Sequence, residues 1–421
     1  MICWENGKYK EDILAMWQRN FHDPAPYAEF YFEEVYGKNR VMLNLDKQEE
    51  EKDFDKAGRN IEKSCPKGER EAEIKGMLHL NPYTLHIQGK PVKACYIVGV
   101  ATDEEYRRQG VMRELLTETF SYLRKEGQIL TYLMPANDAY YLPFDFRFGA
   151  LQKEQELEYH PGDKANAAFS CRFRTGEEID VGSIAAEENR MRDKTYAVHT
   201  EISAEYLKRL IKETKSDFGR LLFVYKEEKY MGRFIMNAEN DYMVLSRIVC
   251  TDVKQRSEFL KEIIAYTEAQ YHYGKYQLVM DESWEPLKNP LDTCPGNRLL
   301  KAGEKKIIMF RILNLEAVGA FLKTEKEASC CLYVTDDYVR EQQGAYAFCC
   351  GDGGCRIKKL SGKDTEALRD GGKIALADLT AILFGDMSKE KIMGLEHVTD
   401  RGKETLLGIH PLRNVCIQEI V

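Results

Sequence analysis

The sequence predicts an α/β (α+β) chain in which mixed sheets carry flanking helices, and three observations predict it. An apolar, β-rich run from Ala94 to Ala101 passes through a short acidic turn into a helical pattern, and a second β run, Gln128 to Met134, comes after it. The general order of this first part recurs between residues 200 and 280. The length, 421 residues, is that of two or three domains, since domains usually run about 100–200 residues.

Taken in order, the first 40 residues read as helical. Ile13, Met16 and Trp17 form an apolar stripe, and Tyr27, Phe30, Tyr31, Phe32 and Val35 form an aromatic one; both patterns place these side chains in a core. Residues 46–75 are polar and charged, the pattern of an exposed loop or hairpin edge, and strands are expected near 76–88 and 92–101. Val111, Leu115, Leu116, Thr119, Phe120 and Leu123 recur at helical spacing, and Gly127 is placed to end that helix. The turn Tyr159–Lys164 marks a boundary. Beyond it the pattern gives a helix (Ser203–Lys212), strands (Leu221–Lys226, Tyr230–Asn237, Tyr242–Cys250), a helix (Lys254–Gln270) and a strand (Lys275–Met280). Asn289–Asn297, with two prolines and a glycine, marks a second boundary. The remainder alternates short strands around the turn Gly351–Gly354. A helix over 372–385 comes next, apolar at Ile374, Leu376, Leu379, Ile382 and Leu383, with Gly385 as its stop. The expected domains are therefore 1–158, 159–292 and 293–421.

Composition narrows the function. A net charge of −8 argues against nonspecific nucleic-acid binding and for a cationic partner. No apolar run reaches the ~18–20 residues that span a bilayer, and the opening M-I-C-W-E-N-G-K lacks a signal-peptide core. A soluble cytoplasmic protein without membrane or nucleic-acid partners is the expectation. Among the twelve cysteines, Cys330, Cys331, Cys349, Cys350 and Cys355 cluster late in the chain without a C-x-x-C spacing, so they read as small buried hydrophobes. The eight histidines, His22, His160 and His410 among them, show no metal-ligand spacing, and no metal is expected.

The most informative stretch runs from Val98 to Leu116: V-G-V-A-T-D-E-E-Y-R-R-Q-G-V-M-R-E-L-L. A strand runs into Arg107, Arg108, Gln109 and Gly110, and a helix opens there. Free backbone N–H groups at that N-terminus, with two arginines beside them, suit a pyrophosphate. The segment lacks the G-x-x-x-x-G-K-[ST] of a phosphate-binding loop and the G-x-G-x-x-G of a dinucleotide fold. Gly110 lets the backbone come close to the phosphates.

Strand, R-x-x-G, amphipathic helix and strand, then Y-Y-L-P-F-D-F-R-F-G from Tyr140 to Gly149, resemble the acyl-CoA motif of the GNAT acetyltransferases. Two residues depart from it. Met112 stands where the motif has Gly or Ala, and Asp145 where Gly precedes the final aromatic. Residues 200–280 resemble a second, degenerate GNAT-like unit whose matching loop, Val249 to Glu258, has no glycine and is expected to bind no CoA. The final third resembles a sterol-carrier-protein-like α+β domain. This layout is similar to that of the enhanced intracellular survival (Eis) acetyltransferases, which implies a self-associating enzyme.

That resemblance implies acetyl-CoA as cosubstrate. It implies that Val100, Ala101 and Thr102 face the pantetheine, that Arg108, Gln109, Gly110, Val111, Met112 and Arg113 surround the pyrophosphate, and that Ala136 and Asn137 form the far wall. Tyr141 is the candidate acid for the departing thiolate, since a phenol of pKa near ~10 is protonated at neutral pH. The resemblance assigns the base to the C-terminal carboxylate, here of Val421, returning to the site; Glu419 is a competing carboxylate. The acceptor would be a primary amine, on a cationic small molecule or a lysine side chain. Asp23, Glu29, Glu33 and Glu34 line an anionic cleft on one reading and a solvated helix face on the other. The rival function is a non-catalytic protein binding CoA or an apolar ligand, favoured by Met112 and Asp145.

Overall fold

The computed structural model describes residues 1–46, 72–160, 170–285 and 297–419. The first third comprises β1 (Ile2–Trp4), α1 (Lys10–Asn20), α2 (Ala25–Phe30), β2 (Arg40–Leu45), β3 (Ile74–Ile87), β4 (Lys90–Thr102), α3 (Val111–Lys125), β5 (Leu130–Leu133) and β6 (Arg147–Glu158). The middle third comprises β7 (Arg172–Arg174), α4 (Val181–Thr195), β8 (Val198–Thr200), α5 (Ala204–Ser216), β9 (Arg220–Lys226), β10 (Lys229–Glu239), β11 (Tyr242–Cys250), α6 (Arg256–Tyr271) and β12 (Lys275–Asp281). The last third opens with β13 (Arg298–Ile312), α7 (Leu315–Val318), β14 (Lys323–Thr324), β15 (Ala328–Thr335), β16 (Gly344–Gly351) and β17 (Gly354–Leu360). It closes with α8 (Asp364–Asp370), β18 (Lys373–Ala375), α9 (Leu376–Leu383), α10 (Lys389–Met393), α11 (Asp400–Leu407), β19 (Ile409–His410) and β20 (Val415–Cys416).

The mixed α/β class is as expected, but the first two thirds are one sheet rather than two. Its path is β1-β2-β3-β4-β5-β13-β6-β12-β11-β10-β9-β7, with β8 and β20 branching from β3. β13, drawn from the far side of the second expected boundary, lies between β5 and β6. β3 is long enough to hold β2 along Ile74–Leu80 and β8 along Leu85–Ile87. A smaller sheet, ordered β17-β16-β15-β18, forms the last third. Its core is continuous with that of the first third, so the apolar faces of α3, β5, β13 and α9 share one interior. The turn Tyr159–Lys164, the second boundary and the charged run after Asp46 lie largely outside the described residues.

Local sequence explains where helices form and where the expectations miss. The stripe from Val111 to Leu123 is the buried face of α3, and Gly127 (φ +77°) takes the left-handed conformation that stops it. Residues 2–4, expected helical, pair instead as an edge strand with Met42–Asn44. α4 went unforeseen because its buried face is polar: Glu188 and Arg192 sit in the interior beside Ile184 and Met191. Glu188 accepts from Arg233 Nε at 2.8 Å and from the Tyr230 hydroxyl at 2.7 Å, which satisfies the buried carboxylate. The expected helix over 372–385 begins as a strand, β18, paired parallel with β15, and turns helical at Leu376. Cys330, Cys350 and Cys355 are buried as expected, whereas Cys349 points outward. Among the described residues no helix is long and apolar enough to cross a membrane.

β4 carries one irregularity, at Gly99. Ala101 pairs with Met77, but Val98 pairs with His79, so Gly99 and Val100 together oppose Leu78. This is a β-bulge. Gly99 sits at φ +59°, and an added Cβ would stand 2.6 Å from the Trp17 ring. Gly99→Ala is expected to cost about 2–4 kcal/mol, from backbone strain and overpacking together, measured by urea unfolding.

Candidate active site

β4 and β5 run parallel and meet in register only at Tyr96 and Tyr132. Past that pair β4 continues to Thr102, held on its other edge by β3. Between the two strands the sheet opens into a wedge. Val100 and Thr102 are half-buried there and Ala101 is buried.

The mouth of the wedge is the N-terminus of α3. Gly110 is its N-cap at φ +84°, with no side chain to cap the helix, and an added Cβ would meet no atom within 4 Å. The first bond of the helix is Glu114 N–H to Gly110 O, so the amides of Val111, Met112 and Arg113 have no partner within the helix. Arg108 is exposed at φ +62°. Arg107 is turned away, donating to Thr102 O and Asn20 Oδ1. Gln109 donates to Glu105 O at 2.8 Å, bracing the turn. Arg113 reaches Tyr338 Oη at 3.4 Å and lies over the Phe144 ring. Met112 packs half-buried against the core rather than across the seat. Ala136 and Asn137 are exposed after β5, and Asn137 Oδ1 caps the next turn by accepting from Ala139 N–H.

That turn presents Tyr141. Its ring is buried edge-on against Phe146, with centroids 5.9 Å apart, whereas Tyr140 is exposed. Burial pushes the Tyr141 phenol up to about 12, and the neighbouring Tyr140 adds to the shift. Asp145, the departure from the glycine of the motif, takes that glycine's left-handed backbone at φ +65°. Short acidic residues tolerate this conformation. Arg311, fully buried, donates to Phe144 O at 2.9 Å and to Asp336 at 2.7 Å, and lies 3.6 Å from Asp145. The last third therefore braces the turn.

Burial raises the Asp145 carboxyl to about 6, with Arg311 opposing. A raised carboxyl pKa means that the folded state binds the proton more tightly than the unfolded chain. Stability from this group is therefore gained as pH falls and lost as pH rises through about 6. Relative to Asp145→Asn, the wild type is expected to gain ~1 kcal/mol between pH 7 and pH 5, read by paired urea unfolding curves.

The chain's end docks on β8. β20 pairs parallel with β8, and Thr200 at the end of β8 donates to Glu419 Oε2 at 2.7 Å. Glu419 is buried, and its Oε1 has no partner among the described residues; nor has the buried hydroxyl of Tyr132 at the wedge apex. Burial first, and the Glu419 charge second or third, raise the phenols of Tyr83, Tyr96, Tyr132 and Tyr206. Val421 lies outside the described residues.

Sequence reasoning missed the neighbouring wall. His79 is fully buried, and burial alone lowers its pKa to about 3. Its Nδ1 lies 3.1 Å from the Tyr31 hydroxyl, which with Asn39 bonds Asn81. His79, Asn81 and Tyr83 alternate along β3, and that period of two was the available signal. The N-terminal acids do not converge. Asp23 accepts from Trp17 Nε1, Glu34 pairs with Lys212, and Glu29 and Glu33 are exposed.

Residues 6–149 match the family model described as Acetyltransferase (GNAT) domain. No curated sequence matches the chain. A conserved protein of unknown function from Enterococcus faecalis V583, described as a probable N-acyltransferase, has a similar structure at 13% identity, with 100% of this chain and 99% of that one covered and a TM-score of 0.75. A GCN5-related N-acetyltransferase from Kribbella flavida gives 14%, 100% of each chain and 0.70. Eis1 from Mycobacterium abscessus gives 10%, 99% of each and 0.63. These likenesses show a shared fold along the whole length. The family match covers the first third of the chain, and the solved structures extend the likeness to the fold of the rest. More particularly, the N-terminal third of this chain carries a GNAT acetyltransferase domain.

Proposed function

We propose that the chain transfers the acetyl group of acetyl-CoA to a primary amine on a cationic small molecule or a lysine side chain, and that it is Eis-like. The wedge between β4 and β5 carries this reading, because an uncapped helix N-terminus lies at its mouth and the buried Tyr132 hydroxyl at its apex, which has no partner among the described residues, feels the charge of Glu419. The residues present fit the cosubstrate. The amides of Val111 to Arg113 and the Arg108 guanidinium suit a pyrophosphate, and the edge of Val100–Thr102 that β5 leaves unpaired suits an amide-bearing arm. When bound, acetyl-CoA supplies an activated thioester.

The chain's own groups then divide the work. Tyr141 keeps its proton at neutral pH and offers it to a developing thiolate. Glu419 attracts the acceptor's ammonium group, and the carboxylate of Val421, two residues on, is the proposed base. The N-terminal domain, 1–158, is the proposed catalytic unit. Residues 159–292 serve as scaffold. There Arg256, at the start of α6, donates to Ser283 O at 2.7 Å and stacks on the buried Trp284 ring, tying the helix to the segment after β12. Residues 293–421 are the proposed sterol-carrier-like domain. The protein is proposed to self-associate, which light scattering tests.

Gly110→Val is the direct test of the seat. A β-branched residue is disfavoured at φ +84°, and its side chain would occupy the open space over the amides. The expected result is at least a ~10-fold loss of CoA affinity by calorimetry with the fold retained. Unchanged affinity, or no saturable CoA binding by the wild type, overturns the reading.

A further inference from the structure

β3 and β8 are antiparallel neighbours, and their register sets His86 opposite His199. The two imidazole rings lie side by side, with centroids 4.9 Å apart. Asp193 reaches them from α4. Its Oδ1 stands 2.8 Å from His86 Nδ1 and 3.0 Å from His199 Nε2. The three atoms fall within 4.8 Å of one another.

The proton inventory of this cluster does not close. His199 Nδ1 lies 3.0 Å from the Thr200 carbonyl oxygen. A carbonyl can only accept, so Nδ1 carries the hydrogen, and in a neutral ring Nε2 presents a lone pair. That lone pair faces a carboxylate oxygen. Two electron pairs so close repel unless a proton or a metal ion lies between them. The His199 side chain has no solvent exposure, and an imidazolium there would rely on the Asp193 carboxylate alone to offset its burial. The bond from Nδ1 to a backbone carbonyl is what a metal-ligating histidine ordinarily makes, since it fixes the ring and raises the basicity of the other nitrogen. The nearby Arg192 guanidinium is turned aside to Cys416 and Gln418.

We propose that His86 Nδ1, Asp193 Oδ1 and His199 Nε2 bind one divalent transition-metal ion. Two imidazoles and a carboxylate are a zinc donor set, whereas magnesium and calcium prefer oxygen alone. Asp193 is 38% exposed on its side chain and His86 15%, which leaves room for water as a fourth ligand. The ion would join three elements, β3 of the first third with α4 and β8 of the middle third. β8 also carries β20, with Cys416 opposite His199. The site is therefore a staple at the junction where the chain's end enters. It does not depend on the acetyl-transfer reading.

The test uses the full chain, stripped with chelator and titrated with Co²⁺ and Zn²⁺. One equivalent of Co²⁺ is expected to give visible d–d bands, which Zn²⁺ displaces. His86→Asn and Asp193→Asn are each expected to weaken binding more than ~10-fold. Zn²⁺ is expected to raise the Tm of the wild type and not that of either variant. His86 sits at the rim, so its variant tests the site without emptying the interior, and circular dichroism checks its fold. No one-equivalent binding by the wild type overturns the proposal, as does binding that both variants leave unchanged.

Discussion

Replacing Tyr141 by Phe is expected to lower kcat by about 10²–10³-fold while acetyl-CoA affinity stays within about twofold. The split follows from the position of the residue. Tyr141 lies on the turn after β5, whereas the Gly110 seat opens α3, and the Tyr141 ring packs on Phe146. Phe keeps that packing and removes only the hydroxyl. With the phenol pushed up to about 12 by burial, the group is a reservoir of one proton throughout the neutral range. A single-turnover measurement of thiol release, with calorimetry of CoA binding, separates the two effects. Equal losses in rate and affinity assign Tyr141 a packing role, and an unchanged rate removes it from the reaction.

The second large effect is expected at the chain's end. Glu419→Gln keeps shape and one hydrogen bond but removes the charge that Thr200 holds in place. A buried carboxylate oxygen with no partner among the described residues is costly unless a cation or donor arrives. An ammonium acceptor is such a group. The expected loss in kcat/KM for the amine is about 10²-fold, mostly in KM, with CoA binding unaffected. Deleting Val421 is expected instead to lower kcat, because it draws the terminal carboxylate back by one residue and leaves the charge of Glu419. If Glu419→Gln leaves KM for every tested amine unchanged, the carboxylate is structural.

The first of these residues was legible in the sequence and the second only as a competitor. The α3 stripe, the glycine at its start and the aromatic turn from Tyr140 to Gly149 are local patterns, and each element formed where the pattern lay. What could not be read was anything made by long-range pairing. Glu188 and Arg192 spoil the apolar period of α4, since the residues that satisfy them come from β10 and from the chain's end. His86 and His199 are 113 positions apart in number, and only the β3–β8 register brings them together. Asp145 looked like a defect in the turn. It keeps the backbone of the glycine it replaces, a substitution that short side chains permit.

The placement of β13 bears on how the protein is made. The edge of β5 waits for residues that leave the ribosome some 180 positions later, roughly ten to thirty seconds at ordinary rates of synthesis. Until then the nascent first domain carries an open flank beside the turn that holds Tyr141, a place where chaperones or wrong strands can bind. Truncating before Arg298 would make that transient exposure permanent, so insoluble product is the outcome to expect from attempts to express the N-terminal domain alone.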